Sequence, residues 1–109
     1  MEFYKDLYVS GFLKNKKNKL IKDIKNKNAR ADIYIITLPL CDHNQLEYYS
    51  TLMLKQKIYD EKEIFVVGIA DGYLDSMYLV KDIYKDIYEK TGSTDVRRYF
   101  EDKRLKGGA

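Results

Sequence analysis

The sequence predicts an α/β domain: a small three-stranded, mainly parallel sheet in β-α-β-α-β-α order, followed by a short C-terminal helix. Three observations carry this reading. Two apolar runs, Ile33 to Leu40 and Ile64 to Ala70, have the β-branched density of strands covered on both faces. The segments around them repeat apolar residues at helical spacing. A length of 109 residues suits a single core.

The first strand is read from Phe3 to Val9, with Phe3, Leu7 and Val9 on one face and Tyr4, Asp6 and Tyr8 on the other. Lys5 on the apolar side suits an edge position. Ser10-Gly11 breaks the strand, and a helix is expected from Phe12 to Asn28 on Leu13, Leu20, Ile21 and Ile24. The second strand is Asp32 to Leu38, stopped by Pro39. Asp42 then reads as an N-cap with Gln45 completing a capping box and Cys41 and Leu46 forming a hydrophobic staple. That register gives a second helix through Tyr49, Leu52 and Met53 to Ile58.

Glu63 to Ala70 is the most apolar strand and is therefore favoured for the centre of the sheet, the alternative being a central first strand as in half of a doubly wound fold. Asp71-Gly72 turns into the longest helix, whose Tyr73, Met77, Val80, Tyr84 and Ile87 repeat in steps of four and three. Gly92 ends it in a left-handed cap, and Ser93 or Thr94 caps a final helix with Val96, Tyr99 and Phe100 inward. Residues 1–103 form one domain on this reading, and 104–109 a flexible tail.

Composition narrows the function classes. The chain is 45% hydrophobic and 34% charged with a single proline, a folded and not a disordered balance. Cys41 is the one cysteine and His43 the one histidine, so neither a disulfide nor the usual zinc set is available, and no metal or other cofactor is expected. No apolar run approaches a membrane span, and the acidic start lacks the pattern of a secretory signal, so a cytoplasmic protein is expected. Lysine, asparagine, isoleucine and tyrosine are abundant, as A/T-rich codons of a low-GC microbial genome produce, which accounts for part of the +3 net charge.

A parallel sheet gathers the carboxyl ends of its strands along one edge, where ligands of open α/β sheets bind. Ser10, Gly11, Thr37, Gly68 and Gly72 are the ligand-binding candidates there. The Gly68 to Gly72 turn could offer helix N-terminal amides to an anion, or simply make a turn and a close helix contact. Cys41 and His43 at a helix start, with Asp71 as orienting acid, form a candidate thiolate site, against a staple cysteine and a solvated histidine. Between residues 12 and 30, Lys14, Lys16, Lys17, Lys19, Lys22, Lys25, Lys27 and Arg30 oppose one acid, Asp23. Lys14, Lys19, Lys22 and Lys25 share the solvent arc and could meet phosphates, or form a plain solvated face.

The chain end Arg104-Leu105-Lys106-Gly107-Gly108 resembles the tail of ubiquitin-like modifiers. The likeness covers the tail alone, and the strand-helix order of the body is unlike the hairpin with which that fold begins. No modifier activity is carried over. The leading expectation is a non-enzymatic protein-interaction or regulatory domain acting as a homodimer, with three strands leaving edges for a partner. The alternatives are nonspecific nucleic-acid binding through the basic helix 12–30 and a small enzyme or anion-binding module at the carboxyl edge.

Overall fold

The computed structural model describes residues 1–28, 30–40, 44–55 and 64–107. Its strands are β1 (Glu2–Val9), β2 (Ile33–Thr37), β3 (Glu47–Ser50) and β4 (Phe65–Asp71), and its helices are α1 (Lys17–Lys25), α2 (Tyr73–Thr91) and α3 (Val96–Gly107). Short 3-10 turns at Gly11–Lys16 and Thr51–Lys55 precede α1 and follow β3.

The α/β class stands, and the sheet differs from expectation in count and direction. It has four strands in the order β1-β4-β2-β3. The most apolar strand is central, as its composition requires: β4 is buried from Phe65 to Ala70 between β1 and β2. Only the β1–β4 pair is parallel; β2 runs antiparallel to both β4 and β3.

The reason lies in Glu47–Ser50. Its Tyr48-Tyr49 pair has aromatic strand propensity, and the chain returns along β2 with Ile36 opposite Tyr48 and Tyr34 opposite Ser50. The apolar residues Leu46, Tyr49, Leu52 and Met53 fit helical spacing by coincidence in a short run. The predicted second helix is therefore a hairpin strand and one 3-10 turn across the residues described. The capping residues Cys41 and Asp42 and the helix end at Ile58 lie outside the described residues.

Two cores sandwich the sheet. On one side Leu13, Leu20 and Ile24 of the first helical segment cover Leu7, Ile33, Ile35, Val66 and Ile69. On the other, Leu79, Ile83 and Ile87 of α2 and Val96 and Phe100 of α3 cover Tyr4, Ile36, Phe65 and Val67. Both sheet faces thus carry a packed core, and β1 and β3 are the edges of the sheet. Gly68 allows the close approach of α2: a Cβ at that position would meet Ile36 Cδ1 at 3.2 Å and Leu79 Cδ2 at 3.3 Å.

Helix ends follow local chemistry. The predicted helix 12–28 is a 3-10 turn joined to a shorter α1, which ends where Lys27 takes a left-handed φ of 61°. Gly92, at φ 72°, caps α2 through its N–H to the Tyr88 carbonyl, as predicted. Asp95 is the cap of α3, its Oδ1 accepting from the Arg98 N–H at 3.2 Å, one or two residues beyond the expected Ser93 or Thr94. The helix then continues through Arg104, whose guanidinium pairs with Glu2 at 3.0 Å. Residues 104–107 are therefore helical and not a frayed tail.

Candidate functional site

Antiparallel β2 separates the predicted ligand residues. Ser10 and Gly11 follow β1 and Asp71 and Gly72 end β4 at one end of the sheet, where the Ser10 N–H donates to the Ile69 carbonyl at 3.0 Å. Thr37 lies at the other end, opposite Val66, while Ile33 is opposite Asp71. Ser10 and Thr37 are both buried in the core, and neither hydroxyl has a hydrogen-bond partner among the described residues.

At the turn into α2, the Asp71 N–H donates to the Asp75 carboxylate at 2.7 Å. The helix start thus already holds an acid of its own, and Gly68 and Gly72 serve packing and the turn (Gly72 φ 98°). Cys41 and His43 lie outside the described residues. No group of three potential metal ligands occurs among the described residues.

The basic segment is displayed to solvent. Leu13, Leu20 and Ile24 turn inward, leaving Lys14, Lys19, Lys22 and Lys25 exposed with Lys16. Phe12, at the head of this segment, is 85% exposed. Lys25 reaches back over the Phe3 ring at 5.5 Å.

The other unpartnered surface is on α2. The helix buries Ser76, Leu79, Ile83 and Ile87 against the sheet, a spine offset from the predicted stripe. Of that stripe Ile87 is buried and Val80 and Tyr84 half-buried, whereas Tyr73 and Met77 are exposed. Leu74 and Tyr78, 66% and 65% exposed, extend the same patch, and Tyr88 continues it along the helix. Tyr34 and Tyr48 of the sheet support it from beneath, their ring centroids 6.2 and 6.0 Å from that of Tyr73. A hydrogen bond with Tyr73 pushes the Tyr48 phenol above its ordinary range.

The opposite flank of α2 is polar and tied down. Tyr8 donates its hydroxyl to Asp86 at 2.5 Å, and Asp86 pairs with Lys90 at 3.0 Å. These bonds, the Tyr8 one first, hold the Asp86 carboxyl below its ordinary range. Burial, then the bond to Asp86, pushes the Tyr8 phenol up, and burial with a bond to Tyr99 does the same for Tyr4.

The α2 patch was partly legible in advance. Apolar residues at 73, 74, 77, 78, 79, 80, 83, 84, 87 and 88 wrap more of a helix than one sheet face can cover. The doublets Tyr73-Leu74 and Met77-Tyr78 are the signal, because neighbours in a helix point about 100° apart.

No family model matches this chain, and neither the curated proteins nor the solved structures include a match on which a likeness could rest. No helix among the described residues is long and apolar enough to cross a membrane.

Proposed function

We propose that this chain is a small protein-interaction domain that pairs with a second copy of itself through α2, without catalysis of its own. The exposed Tyr73, Leu74, Met77 and Tyr78 patch carries the reading. At roughly 200 Å² per full side chain, these four expose on the order of 450 Å², the size of the largest and often functional patch on a monomer. The stems of Lys81 and Lys85 border it and add area while their amines stay in water. That approaches the roughly 600 Å² per partner of a small specific interface.

A second copy is the occupant that fits the charge. Along α2 the acids Asp75, Asp82, Asp86 and Glu89 nearly balance Lys81, Lys85 and Lys90, so two such helices meet without strong repulsion. An antiparallel two-fold pairing centred between Val80 and Lys81 sets Tyr73 opposite Tyr88 and Met77 opposite Tyr84 of the second copy. A strongly acidic partner would choose the basic α1 face instead. The lone Cys41 fits a reducing, cytoplasmic setting.

The test is amide and methyl NMR across a dilution series. Concentration-dependent shifts confined to Tyr73–Tyr88 support the pairing; their absence, or shifts centred on β1, counts against it.

A second reading draws on Phe12. A nearly free aromatic ring beside Lys14, Lys16 and Lys19 combines a stacking surface with a cationic track, the pairing used for single-stranded nucleic acid without sequence preference. It predicts retention on single-stranded DNA that weakens with salt and with Phe12→Ala. No retention at low salt removes it.

A further inference from the structure

We infer that the cleft between β1 and the end of α3 is a binding site for a small organic anion with a flat apolar body. The cleft arises from a mismatch in pairing. Phe3 lies opposite Val66 and Tyr8 opposite Gly68, so five steps along β1 span two along β4 and the segment between bows away. The last turns of α3 pass alongside and close a cavity of about 400 Å³, within the range of small-molecule sites.

Its floor is aromatic and its rim cationic. Tyr4 and Phe65 supply buried ring surface, and Lys5, Arg104 and Lys106 stand around it with one acid, Asp6. Lys103 also lines the cleft but holds its ammonium over the Tyr99 ring at 5.4 Å. Arg104 is the group best fixed in place: Glu2 accepts from its Nη2 at 3.0 Å while the guanidinium lies 5.4 Å from the Phe65 ring centroid. A planar cation held over a ring suits an anion whose apolar part slides onto that ring. The partial negative charge at the end of α3 opposes an anion, and the excess of cations around the opening outweighs it.

This site is independent of the proposed pairing. It occupies β1, one edge of the sheet, while Tyr73 of the α2 patch packs against Tyr34 and Tyr48 of β2 and β3 toward the other. A monomeric protein with a filled cleft, or a dimer with an empty one, would separate the two.

The experiment is an NMR titration of the full chain with phenyl phosphate, using phenol and inorganic phosphate as partial probes. Saturating shifts at Tyr4, Phe65 and Arg104 are expected, with a dissociation constant of about 1 mM, fitting a shallow site. Phenol and phosphate alone bind at least about fivefold more weakly, and Lys106→Glu and Lys5→Glu each weaken phenyl phosphate by about fivefold. Both lysines are exposed, so the variants keep the fold. No saturation at these residues up to about 10 mM, equal binding of phosphate alone, shifts centred on Lys14 to Lys22, or indifference to both variants overturns the assignment.

Discussion

Replacing Tyr8 with Phe removes one hydroxyl and leaves the ring in place, stacked on Tyr4 at 6.2 Å and edge-on to Phe100 at 6.2 Å. What is lost is the 2.5 Å bond to Asp86. A hydrogen bond to a charged group contributes about 1.5–3 kcal/mol. The Asp86 side chain is 36% exposed and keeps Lys90, so water replaces part of the loss and about 1 kcal/mol is expected. With a urea slope near 1.5 kcal/mol per molar, the unfolding midpoint falls by about 0.7 M at neutral pH.

The effect has a pH signature. The Asp86 carboxyl titrates lower in the folded chain than its ordinary 3.8, so the stabilisation is complete above that value and is lost as the pH falls toward the folded value. At about pH 2.5, below the ordinary carboxyl value, the difference between wild type and Tyr8→Phe is smaller than at neutral pH, because a neutral acid accepts a weaker bond. Urea titrations at both pH values check this. A midpoint unchanged at neutral pH, or an equal shift at both, refutes the role given to the Tyr8–Asp86 bond.

Three further outcomes test the fold. Phe100→Ala empties a fully buried site ringed by Tyr4, Tyr8 and Tyr99 and lowers stability by about 3–5 kcal/mol in urea unfolding; a loss below 1 kcal/mol would remove Phe100 from the core. Gly68→Val destabilises by about 1–3 kcal/mol and more than Gly68→Ala, since Ile36 and Leu79 can yield to one methyl but not to a branched side chain; equal effects would contradict the close approach of α2. In alkali, Tyr4, Tyr8 and Tyr84 resist ionisation beyond the ordinary 10.0, so stability is full below that pH and falls above it as the unfolded tyrosines ionise. Absorbance of tyrosinate is then expected to rise in two stages, the second with unfolding; a single stage near pH 10 for all 11 tyrosines would count against buried phenols.

Burial was easier to read than direction. The run Ile64 to Ala70 announced a central strand because a stretch without polar interruption must be covered on both sides, and β4 is so covered. The left-handed cap at Gly92 followed from the one residue type that adopts it without strain. Antiparallel β2 was not legible, because it depends on whether Glu47–Ser50 pairs with β2 or coils, and four residues with two tyrosines satisfy either pattern. That single ambiguity moved Thr37 away from Ser10 and Asp71 and dissolved the shared ligand edge.

The surfaces were legible in part. The charge of α1 is in its composition, and its exposure follows from the inward Leu13, Leu20 and Ile24. The cleft beside β1 was hidden, since it depends on a pairing mismatch and on α3 running past Arg104, neither of which has a sequence pattern. On α2 the excess of apolar residues was visible, but which of them face the sheet was decided by packing: Leu79 and Ile83, not Tyr73 and Met77.

Sedimentation equilibrium of the wild-type chain beside a Leu74→Glu, Tyr78→Glu variant tests the pairing through α2 most directly. Both side chains are mostly exposed in the single chain, so the variant's unfolding free energy as a monomer stays within about 0.5 kcal/mol of that of the wild-type monomer. The account predicts a concentration-dependent dimer for the wild type and a monomer for the variant. A wild type that stays monomeric at about 1 mM, where even a weak specific pair would form, or a dimer that survives both substitutions, would contradict it.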